Sequence, residues 1–441
     1  MILSNRIKTV LLLAGDLIMF YLSLYLALSI RTGFSLVKET WDLHQVPFLF
    51  IHILWLFVFY ISDLYDIKGF GSFKIILKRT ANALLIITIL STIIFYFIPQ
   101  TGIAPKTILF LDIVLVAFFL ILWRRLFWSF SRKVSKIKVL FFGSSKEVEE
   151  LANHLKNNPQ IGYEPTTVLP SVNNNLQKII KEHNIQLIVA SESITRSEDG
   201  MKKFYEVLPL GVDVVNFQNF YEIIRGKVPL SMINENWFLE NLSTLDKKMF
   251  ETLKRFFDIL GAIILGIPTL LFTPIIAIAI KSNSKGPVFY KHQRVGKNGK
   301  IFEIIKFRSM IQNAEKNGAT WATEKDKRIT KIGKMLRRTR LDELPQLLNI
   351  LMGDLSFIGP RPERPEFVQQ LTEKIPHYSM RLLVKPGASG WAQINYRYGS
   401  SVEDAIKKLQ YDLYYIKNRS IVLDLSTFLK TIMVMLDHSG R

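Results

Sequence analysis

The chain has 441 residues, of which 49% are apolar, and its formal net charge is +20. This length predicts two or three domains rather than one. Because the chain contains no cysteine, disulfides, thiolate zinc sites and a cysteine nucleophile are excluded. The seven histidines lack metal-ligand spacing such as His-Glu-x-x-His, so we expect any metal to be held by carboxylates and phosphates.

The positive charge indicates a polyanionic partner, which means nucleic acid, an anionic lipid surface or a phosphate-rich substrate. The high apolar fraction favours the membrane, and we predict a lipid bilayer and no nucleic acid as partner. The first apolar run continues far past the length of a signal-peptide core, so no cleavable signal peptide is predicted.

Residues 1–130 contain four nearly uncharged runs, each close to the ~20 residues that cross the hydrocarbon core of a bilayer. Short connections join them, which predicts a compact four-helix transmembrane bundle. The runs are Val10–Ile30, Val46–Ser62, Asn82–Ile98 and Thr107–Trp123.

The orientation of this bundle follows from its basic residues, which favour the cytoplasmic side. The N-terminus, the second loop and the exit of the bundle are basic, whereas the first and third loops carry little net positive charge. Both chain ends of the bundle are therefore predicted to be cytoplasmic. The basic residues counted are Arg6, Lys8, Lys68, Lys74, Lys78, Arg79, Arg124, Arg125, Arg132, Lys133 and Lys136.

Asp16 and Asp112 lie within predicted spans, where a charge costs about 2.5–3.5 kcal/mol. The topology places Asp16 nearer the inner face and Asp112 nearer the outer face, so they are not expected to pair. Interhelical hydrogen bonding is the favoured interpretation, with a substrate path as the alternative.

From residue 137 to about 240, short apolar strands alternate with polar helical stretches, which predicts a small parallel α/β, Rossmann-like domain. The turn Gly143-Ser144-Ser145 lacks the G-x-G-x-x-G spacing of a pyrophosphate loop, so a regulatory or scaffolding role is at least as plausible as nucleotide binding. The predicted elements are the strands Lys138–Phe142, Gln186–Ala190 and Val212–Phe217 and the helix Lys146–Asn157.

Residues 259–280 form an uncharged run of spanning length with basic flanks on both sides. Pro268 and Pro274 interrupt it and favour a kink, and Thr273 could bond backbone groups that the prolines free. We predict a re-entrant helix over 256–281 that enters and leaves on the same side. The alternative is a fifth crossing, which would place the basic remainder outside the cell.

The region from Gly286 onward is rich in residues that suit phosphate binding. Arginine makes planar bidentate phosphate contacts, lysine supplies a point charge, and glycine and proline shape the loops between them. Beside a membrane-dipping helix these stretches predict a diphosphate site, although a solvated basic face is the usual outcome for any one of them. The stretches are 286–290, 292–296, 305–310, 337–340, 341–346 and 353–362.

At these residues the chain resembles the bacterial sugar transferase family, the monotopic phosphoglycosyl transferases that start polysaccharide and glycoconjugate assembly. The resemblance runs from Lys254 to about Asp437, and the preceding spans and α/β domain resemble the long-form members. Other matching positions are Lys254-Arg255 with Asp258, Thr273-Pro274 (often Ser-Pro in relatives), Lys385-Pro386-Gly387, the stretch 390–395 and the stretch 411–415. The predicted fold class is thus a four-helix bundle, an α/β domain and, over 250–441, an α-rich catalytic domain with a re-entrant helix.

The resemblance implies an enzyme of the EC 2.7.8 type that moves a sugar-1-phosphate from a UDP-sugar to a polyprenyl phosphate such as undecaprenyl phosphate. It would release UMP in the first membrane step of exopolysaccharide, capsule or O-antigen synthesis, at the cytoplasmic face of the bacterial inner membrane. It also implies a Mg²⁺ cofactor and catalysis at an adjacent Asp-Glu pair, here Asp342-Glu343.

Residue roles follow from this implication. Asp342 is the expected nucleophile, through a covalent aspartyl-phosphosugar intermediate, and Glu343 is the expected Mg²⁺ ligand. Adjacent helical residues point about 100° apart, so the two carboxyls are not expected to share one proton. The phosphate and nucleotide candidates are Lys306, Arg308, Arg337 and Arg361, with Asp412 as a further substrate-binding candidate for which a structural ion pair is the alternative.

Two rival functions stay open at this point. A conventional glycosyltransferase would release UDP rather than UMP, and a non-catalytic export scaffold would release neither. The sequence does not identify the sugar, the ligand of the α/β domain, the polysaccharide pathway or the oligomeric state, and self-association is left open.

Overall fold

A computed structural model describes most of the chain. It covers residues 5–33, 37–67, 72–97, 106–133, 136–172, 175–242, 247–312, 314, 328–396, 399 and 401–436, with the backbone alone at 5, 6, 96, 97, 106, 132, 133, 435 and 436. Lys68, one of the basic residues counted for topology, lies outside this range. The chain divides into two compact units, Met1–Ile224 and Arg225–Arg441.

The first unit begins with four apolar helices, as predicted. They are α1 (Asn5–Thr32), α2 (Val37–Ile61), α3 (Phe73–Phe97) and α4 (Lys106–Lys133). Within the described residues, α1, α2 and α4 contain segments long and apolar enough to cross a membrane. Phe20, Trp55 and Phe59 are fully buried among them, while many other apolar side chains face outward. An apolar exterior around a packed interior is consistent with a membrane protein.

Polar groups inside this bundle bond between helices. Asp16 of α1 accepts hydrogen bonds from Arg124 Nη2 of α4 at 2.5 Å and from Tyr65 Oη at 2.8 Å. Arg124 also donates to the Leu64 carbonyl and is only 2% exposed. It was counted among the basic residues at the exit of the bundle, but it lies inside, because Asp16 offers it a buried counter-charge. Asp112 faces a different partner, His52, with 3.7 Å between Oδ2 and Nε2.

The close approach of α1 and α4 depends on Gly15. A Cβ atom at this position would overlap the ring of Trp123. Near the start of the same helix, Lys8 is almost fully buried and donates from Nζ to the carbonyl of Gln160 at 3.1 Å. The first helix is thereby tied to the α/β part of its own unit.

The α/β part contains a four-stranded parallel sheet in the order β2-β1-β3-β4, as the alternating pattern predicted. Strand β2 was not predicted, because Pro165 and half-exposed side chains hide an edge strand. The strands are β1 (Ile137–Phe142), β2 (Tyr163–Leu169), β3 (Leu187–Ala190) and β4 (Asp213–Asn216). The helices are α5 (Lys146–Asn157), α6 (Leu176–His183), α7 (Glu192–Thr195), α8 (Glu198–Val207) and α9 (Phe217–Arg225).

The second unit is rich in helices and has two small sheets. The hairpin of β5 (Phe289–Val295) and β6 (Ile301–Phe307) is antiparallel, and β7 (Ser356–Ile358) pairs in parallel with β8 (Gly387–Ser389). The helices are α10 (Glu235–Asn241), α11 (Lys248–Asn283), α12 (Lys331–Arg338), α13 (Gln346–Met352), α14 (Pro365–Lys374), α15 (Trp391–Asn395), α16 (Val402–Asn418) and α17 (Ile421–Leu436).

The division between the units falls earlier than the sequence suggested. Residues 225–242, assigned above mainly to the α/β domain, pack into the second unit. Trp391 Nε1 donates to the Gly226 carbonyl at 2.8 Å, and the Val228 amide donates to the Gln410 carbonyl at 3.0 Å. Trp237 is buried in the core that contains Leu409 and Leu413 of α16. The change of unit therefore follows α9 rather than the end of α10.

Helix α11 is the most apolar element of the second unit, and it runs continuously through Pro268 and Pro274. By length and composition it could cross a membrane, and only 6% of its most apolar segment is buried. Thr273 Oγ1 donates to the Thr269 carbonyl, not to the Leu270 carbonyl that Pro274 leaves without its usual donor. The expected role of Thr273 in bonding that freed group is therefore corrected.

The polar first part of α11 is anchored to the rest of the unit. Asp258 accepts hydrogen bonds from Ser356 Oγ at 3.0 Å and from the Phe357 amide at 3.1 Å. Lys254 pairs with Asp424 of α17 at 2.5 Å. The polar first part of α11 is thus fixed to the second unit, and the apolar part of the helix follows it.

Candidate active site

Asp342 and Glu343 lie on a short 3₁₀ helix, Leu341–Glu343, between α12 and α13. Arg340 precedes it with a φ of 57°, in the left-handed region, and Pro345 caps α13. Leu341 and Leu344 pack against the apolar cluster that contains Ile280 of α11. A 3₁₀ helix has three residues per turn, so the two carboxyls point about 120° apart rather than the ~100° expected for an α-helix. On this geometry the two carboxyls are expected to diverge.

Cations surround the Glu343 carboxylate. Its Oε1 lies 2.8 Å from Lys306 Nζ and 3.0 Å from Arg361 Nη2, and its Oε2 lies 3.7 Å from Arg340 Nη1. Burial alone would raise the pKa of Glu343, but these three cations together hold that pKa well below its ordinary value. Glu343 is therefore an anion at any physiological pH.

Asp342 has a different environment on the same turn. Its side chain is buried, and among the described residues its Oδ1 has no hydrogen-bond partner. Burial and the neighbouring Glu343 charge raise the pKa of Asp342, although Lys306, Arg337 and Arg340 act against the shift. A carboxylate with few hydrogen bonds and a raised pKa is a better nucleophile than an ordinary one.

Arg337 is held beside this pair by a close backbone approach. Gly333 of α12 lies against the backbone of Ser309, where a Cβ atom would collide with the Ser309 carbonyl. One turn later, Arg337 Nε donates to Ser309 Oγ at 2.7 Å. The charge of Arg337 acts on Asp342, so Arg337 belongs with Lys306 and Arg361 to the cations near the carboxylates, and the phosphate contacts expected of all three stay predictions.

Arg308 does not join them. Its guanidinium donates to the carbonyls of Ser284 and Lys285, both at 2.8 Å, and so holds the chain just after α11. A phosphate-binding role would require it to abandon these carbonyls. We therefore reassign Arg308 from the ligand site to the end of the apolar helix.

Asp412 pairs with Arg381 rather than with the cations around Glu343. It is 2% exposed, accepts a hydrogen bond from Arg381 Nε at 3.0 Å, and forms an ion pair with the same guanidinium, with 2.8 Å between Oδ2 and Nη2. The ion-pair alternative considered for this residue is the one the structure shows. A carboxylate so fully engaged by an arginine is poorly placed to bind substrate directly.

Four residues near the site were not singled out as site residues from sequence. They are Arg340, His292, Arg294 and Arg381. His292 accepts from Arg294 Nε at 2.8 Å. Burial, followed by Arg294, Lys306, Arg364 and Arg361, lowers the pKa of His292 to about 2. His292 is thus neutral, and its position within a cationic stretch was the only sequence signal available.

Oxygen donors for a divalent cation are sparse here. Across the described ranges, no group of three or more His, Cys, Asp or Glu side chains could hold a metal. The residues nonetheless fit Mg²⁺, which binds proteins through one or two carboxylates and takes its other oxygens from phosphates and water. Such donors are Glu343 Oε2 and Asp342 Oδ1, which has no hydrogen-bond partner within the part of the chain that the structure describes.

The fold and the site together define a membrane-associated protein with a cationic, carboxylate-containing centre beside an exposed apolar helix. The family model described as bacterial sugar transferase matches residues 249–438. An uncharacterized sugar transferase of Haemophilus influenzae is 30% identical over 339 residues, which cover 68% of this chain and 69% of that protein. The chain belongs to the bacterial sugar transferase family.

Two further relatives have named activities. A UDP-N-acetylgalactosamine-undecaprenyl-phosphate N-acetylgalactosaminephosphotransferase of Aeromonas hydrophila is 43% identical over 232 residues, covering 52% of this chain and 53% of that protein. A UDP-glucose:undecaprenyl-phosphate glucose-1-phosphate transferase of Escherichia coli K12 is 41% identical over 185 residues, covering 41% and 39%. The chain spans about half the length, or less, of these two relatives.

Proposed function

We propose that the chain transfers a sugar-1-phosphate from a UDP-sugar to a polyprenyl phosphate such as undecaprenyl phosphate, and that it releases UMP. The activities of the named relatives support this reaction class. The site is proposed to lie at the cytoplasmic face of the bacterial inner membrane, and the product to enter exopolysaccharide, capsule or O-antigen synthesis.

The observation that carries the proposal is the carboxylate pair within its ring of cations. Lys306, Arg337, Arg340 and Arg361 stand against two carboxylates, which leaves an excess of positive charge. A nucleoside diphosphate sugar carries two negative charges at neutral pH. The centre therefore complements a diphosphate and keeps a nucleophile beside it.

In the first step, an Asp342 carboxylate oxygen attacks the sugar-bearing phosphorus. The bond from that phosphorus to the bridging oxygen breaks, and UMP leaves with the electron pair. Asp342 then carries the phosphosugar as an acyl phosphate, which divides one difficult displacement into two. Lys306 and Arg361 stabilise negative charge on the transferred and leaving phosphates.

In the second step, a phosphate oxygen of the polyprenyl phosphate attacks the same phosphorus. The bond to Asp342 breaks, and the carboxylate is regenerated. The product is a polyprenyl diphosphate sugar. No net proton transfer is required at neutral pH. This fits a site in which His292 is a neutral imidazole and not an imidazolium that could act as a general acid.

Mg²⁺ is the proposed cofactor, held by Glu343 and the donor phosphates. When bound, it would neutralise charge on the diphosphate and orient it. Lys306 and Arg361 already share Glu343 Oε1, so Oε2 is the more open donor.

Helix α11 is proposed to be re-entrant rather than spanning. Its flanks are basic at both ends, and its two prolines remove hydrogen bonds within the apolar stretch. Its last turns pack in the same cluster as Leu341, so a helix that dips into the lipid would bring a lipid phosphate towards Asp342.

The nucleotide product tests the proposal. Membranes containing the chain are incubated with polyprenyl phosphate and a panel of UDP-sugars, and the nucleotide released is identified. UMP supports phosphosugar transfer, UDP indicates a conventional glycosyltransferase, and neither product with any donor favours the non-catalytic scaffold. Membranes containing the Asp342→Asn variant are the matched control.

A further inference from the structure

The segment that carries Arg361 is fixed through its carbonyl groups. Arg361 lies between Pro360 and Pro362, and proline has no backbone N–H. The Gly387 amide donates to the Pro360 carbonyl at 3.0 Å, and Arg294 Nη1 donates to the Pro362 carbonyl at 3.0 Å. The carbonyl of Arg361 itself accepts from Arg381 Nη2 at 2.9 Å.

Arg381 is in turn fully engaged on its other side. It is 5% exposed, pairs with Asp412, and donates from Nη1 to Tyr378 Oη at 3.0 Å. A guanidinium that bonds a carboxylate, a phenol and a carbonyl at once has one allowed orientation. Its position therefore fixes the position of the Arg361 backbone.

The side chain of Arg361 extends from this fixed backbone to Glu343. Its Nη2 lies 3.0 Å from Glu343 Oε1, and its Nη1 donates to the Ala388 carbonyl at 3.4 Å. A small shift of the backbone would lengthen the contact with Glu343, because the guanidinium is held at both ends. Displacements of about 1 Å near a reacting centre can change rates by roughly 100-fold.

We propose that Arg381, held by Asp412 and Tyr378, is a positioning residue that sets Arg361 against Glu343 and against the donor diphosphate. It acts through Arg361 and touches neither substrate nor reacting atoms. This assigns Asp412 an indirect role in the site for which it was a direct candidate. The inference rests on the proposed function only in naming a diphosphate as the ligand.

The test measures UDP binding to the full chain in detergent by titration calorimetry. Arg381→Lys keeps the charge beside Asp412 but cannot reach the phenol and the Arg361 carbonyl together, so we expect binding about tenfold weaker. In an Arg361→Gln background the same change should have no further effect, since coupled residues are non-additive. Arg419→Lys is the matched control: Arg419 is equally buried and pairs with Glu251, and its replacement should leave UDP binding unchanged.

The kinetic parameters give a second readout that a purely structural role would not move. If Arg381→Lys loosens Arg361 from the donor diphosphate, KM for the UDP-sugar in UMP release should rise, and in the Arg361→Gln background the same change should leave KM where it is. Asp412→Asn should raise KM in the same way and serves if Arg381→Lys does not fold.

Two results would overturn the inference. One is an equal loss of UDP affinity from Arg381→Lys with and without Arg361, and the other is no loss in a folded variant. A wild-type chain that binds UDP but yields no UMP with any donor contradicts the proposed function alone. A wild-type chain that does not bind UDP contradicts both.

Discussion

Asp342 and Glu343 are adjacent in sequence, yet their surroundings move their pKa values in opposite directions. Glu343 is held as an anion by three cations, whereas burial and the Glu343 charge raise the pKa of Asp342. Titratable neighbours whose pKa values are pushed apart commonly divide the chemical roles of a site. The more basic carboxylate is suited to attack phosphorus, and the permanently ionised one to hold a cation.

This division predicts different outcomes for the two amide variants. With labelled UDP-sugar and no lipid acceptor, the wild type should release UMP and retain about one label per site on Asp342. Asp342→Asn should abolish labelling, because an amide is not a nucleophile here. Glu343→Gln should mainly raise the Mg²⁺ requirement and lower the rate. UMP release that strictly requires lipid, without a labelled peptide containing Asp342, would favour direct transfer in a ternary complex.

The pH dependence of the first step should follow Asp342. The attacking carboxylate must be unprotonated, so the rate should rise with pH through the pKa of Asp342. Lys306 opposes the rise of that pKa, so removing its charge should raise it further. The rate of lipid-free UMP release by Lys306→Met should therefore have its acid limb at higher pH than the wild type. An acid limb that stays in place or moves to lower pH would contradict this assignment.

For individual residues, the sequence predicted which side chains suit a phosphate site better than it predicted which groups they contact. Lys306 and Arg361 contact Glu343, and the charge of Arg337 acts on Asp342, so their phosphate contacts stay predictions. Arg308 instead donates to two carbonyls after α11. An arginine satisfies a phosphate and a backbone carbonyl with the same donors, so spacing alone cannot tell these uses apart. Arg381 was missed because its role depends on Asp412 and Arg361, which are distant in sequence.

At the scale of elements, composition predicted where α11 lies in the sequence. It did not determine whether the helix crosses the bilayer or returns to the same side. Length and hydropathy predict a helix here, and they are equally consistent with a crossing and with a re-entrant segment. The structure shows an unbroken helix through both prolines, and neither periodicity nor composition could establish that continuity. Strand β2 is the opposite case, because composition did not predict it. Its sequence only weakly favours a strand, and its pairing with β1 stabilises it.

The re-entrant proposal predicts the same side for two reporters. A topology reporter fused after Arg441 should report the cytoplasm, as should one placed after Lys138. Replacing Pro268 and Pro274 together by leucine should shift the C-terminal reporter towards the outside, because the helix regains two hydrogen bonds and gains apolar surface. Thr269→Leu adds apolar surface without removing a proline and should leave the reporter cytoplasmic. Opposite sides for the two wild-type fusions would establish a true crossing.

For the molecule as a whole, the division near residue 225 bears on which part carries activity. The family match and all the proposed site residues lie in the second unit. That unit also needs residues 225–242, whose Trp237 is part of its core. A fragment of residues 225–441 should therefore release UMP in detergent. A fragment that starts at Thr244 should unfold at a lower temperature, because it loses buried aromatic side chains.

Thermal unfolding and UMP release of the two fragments check this prediction together. Equal stability would show that residues 225–242 contribute little to the unit. A folded 225–441 fragment without activity, compared with an active full chain, would show that the first unit completes the site.

The buried pair of Asp16 and Arg124 also constrains how the chain is made. The two residues are 108 positions apart, and synthesis at roughly 5–20 residues per second separates them by about 5–20 s. During that interval Asp16 would face lipid without its counter-charge, at a cost of about 2.5–3.5 kcal/mol. We therefore expect α1 to stay beside the insertion machinery until α4 emerges, and nascent chains truncated before Arg124 to crosslink to that machinery more strongly than longer ones. In an Asp16→Leu chain this difference should vanish, and α1 should be released to lipid as soon as it is synthesised.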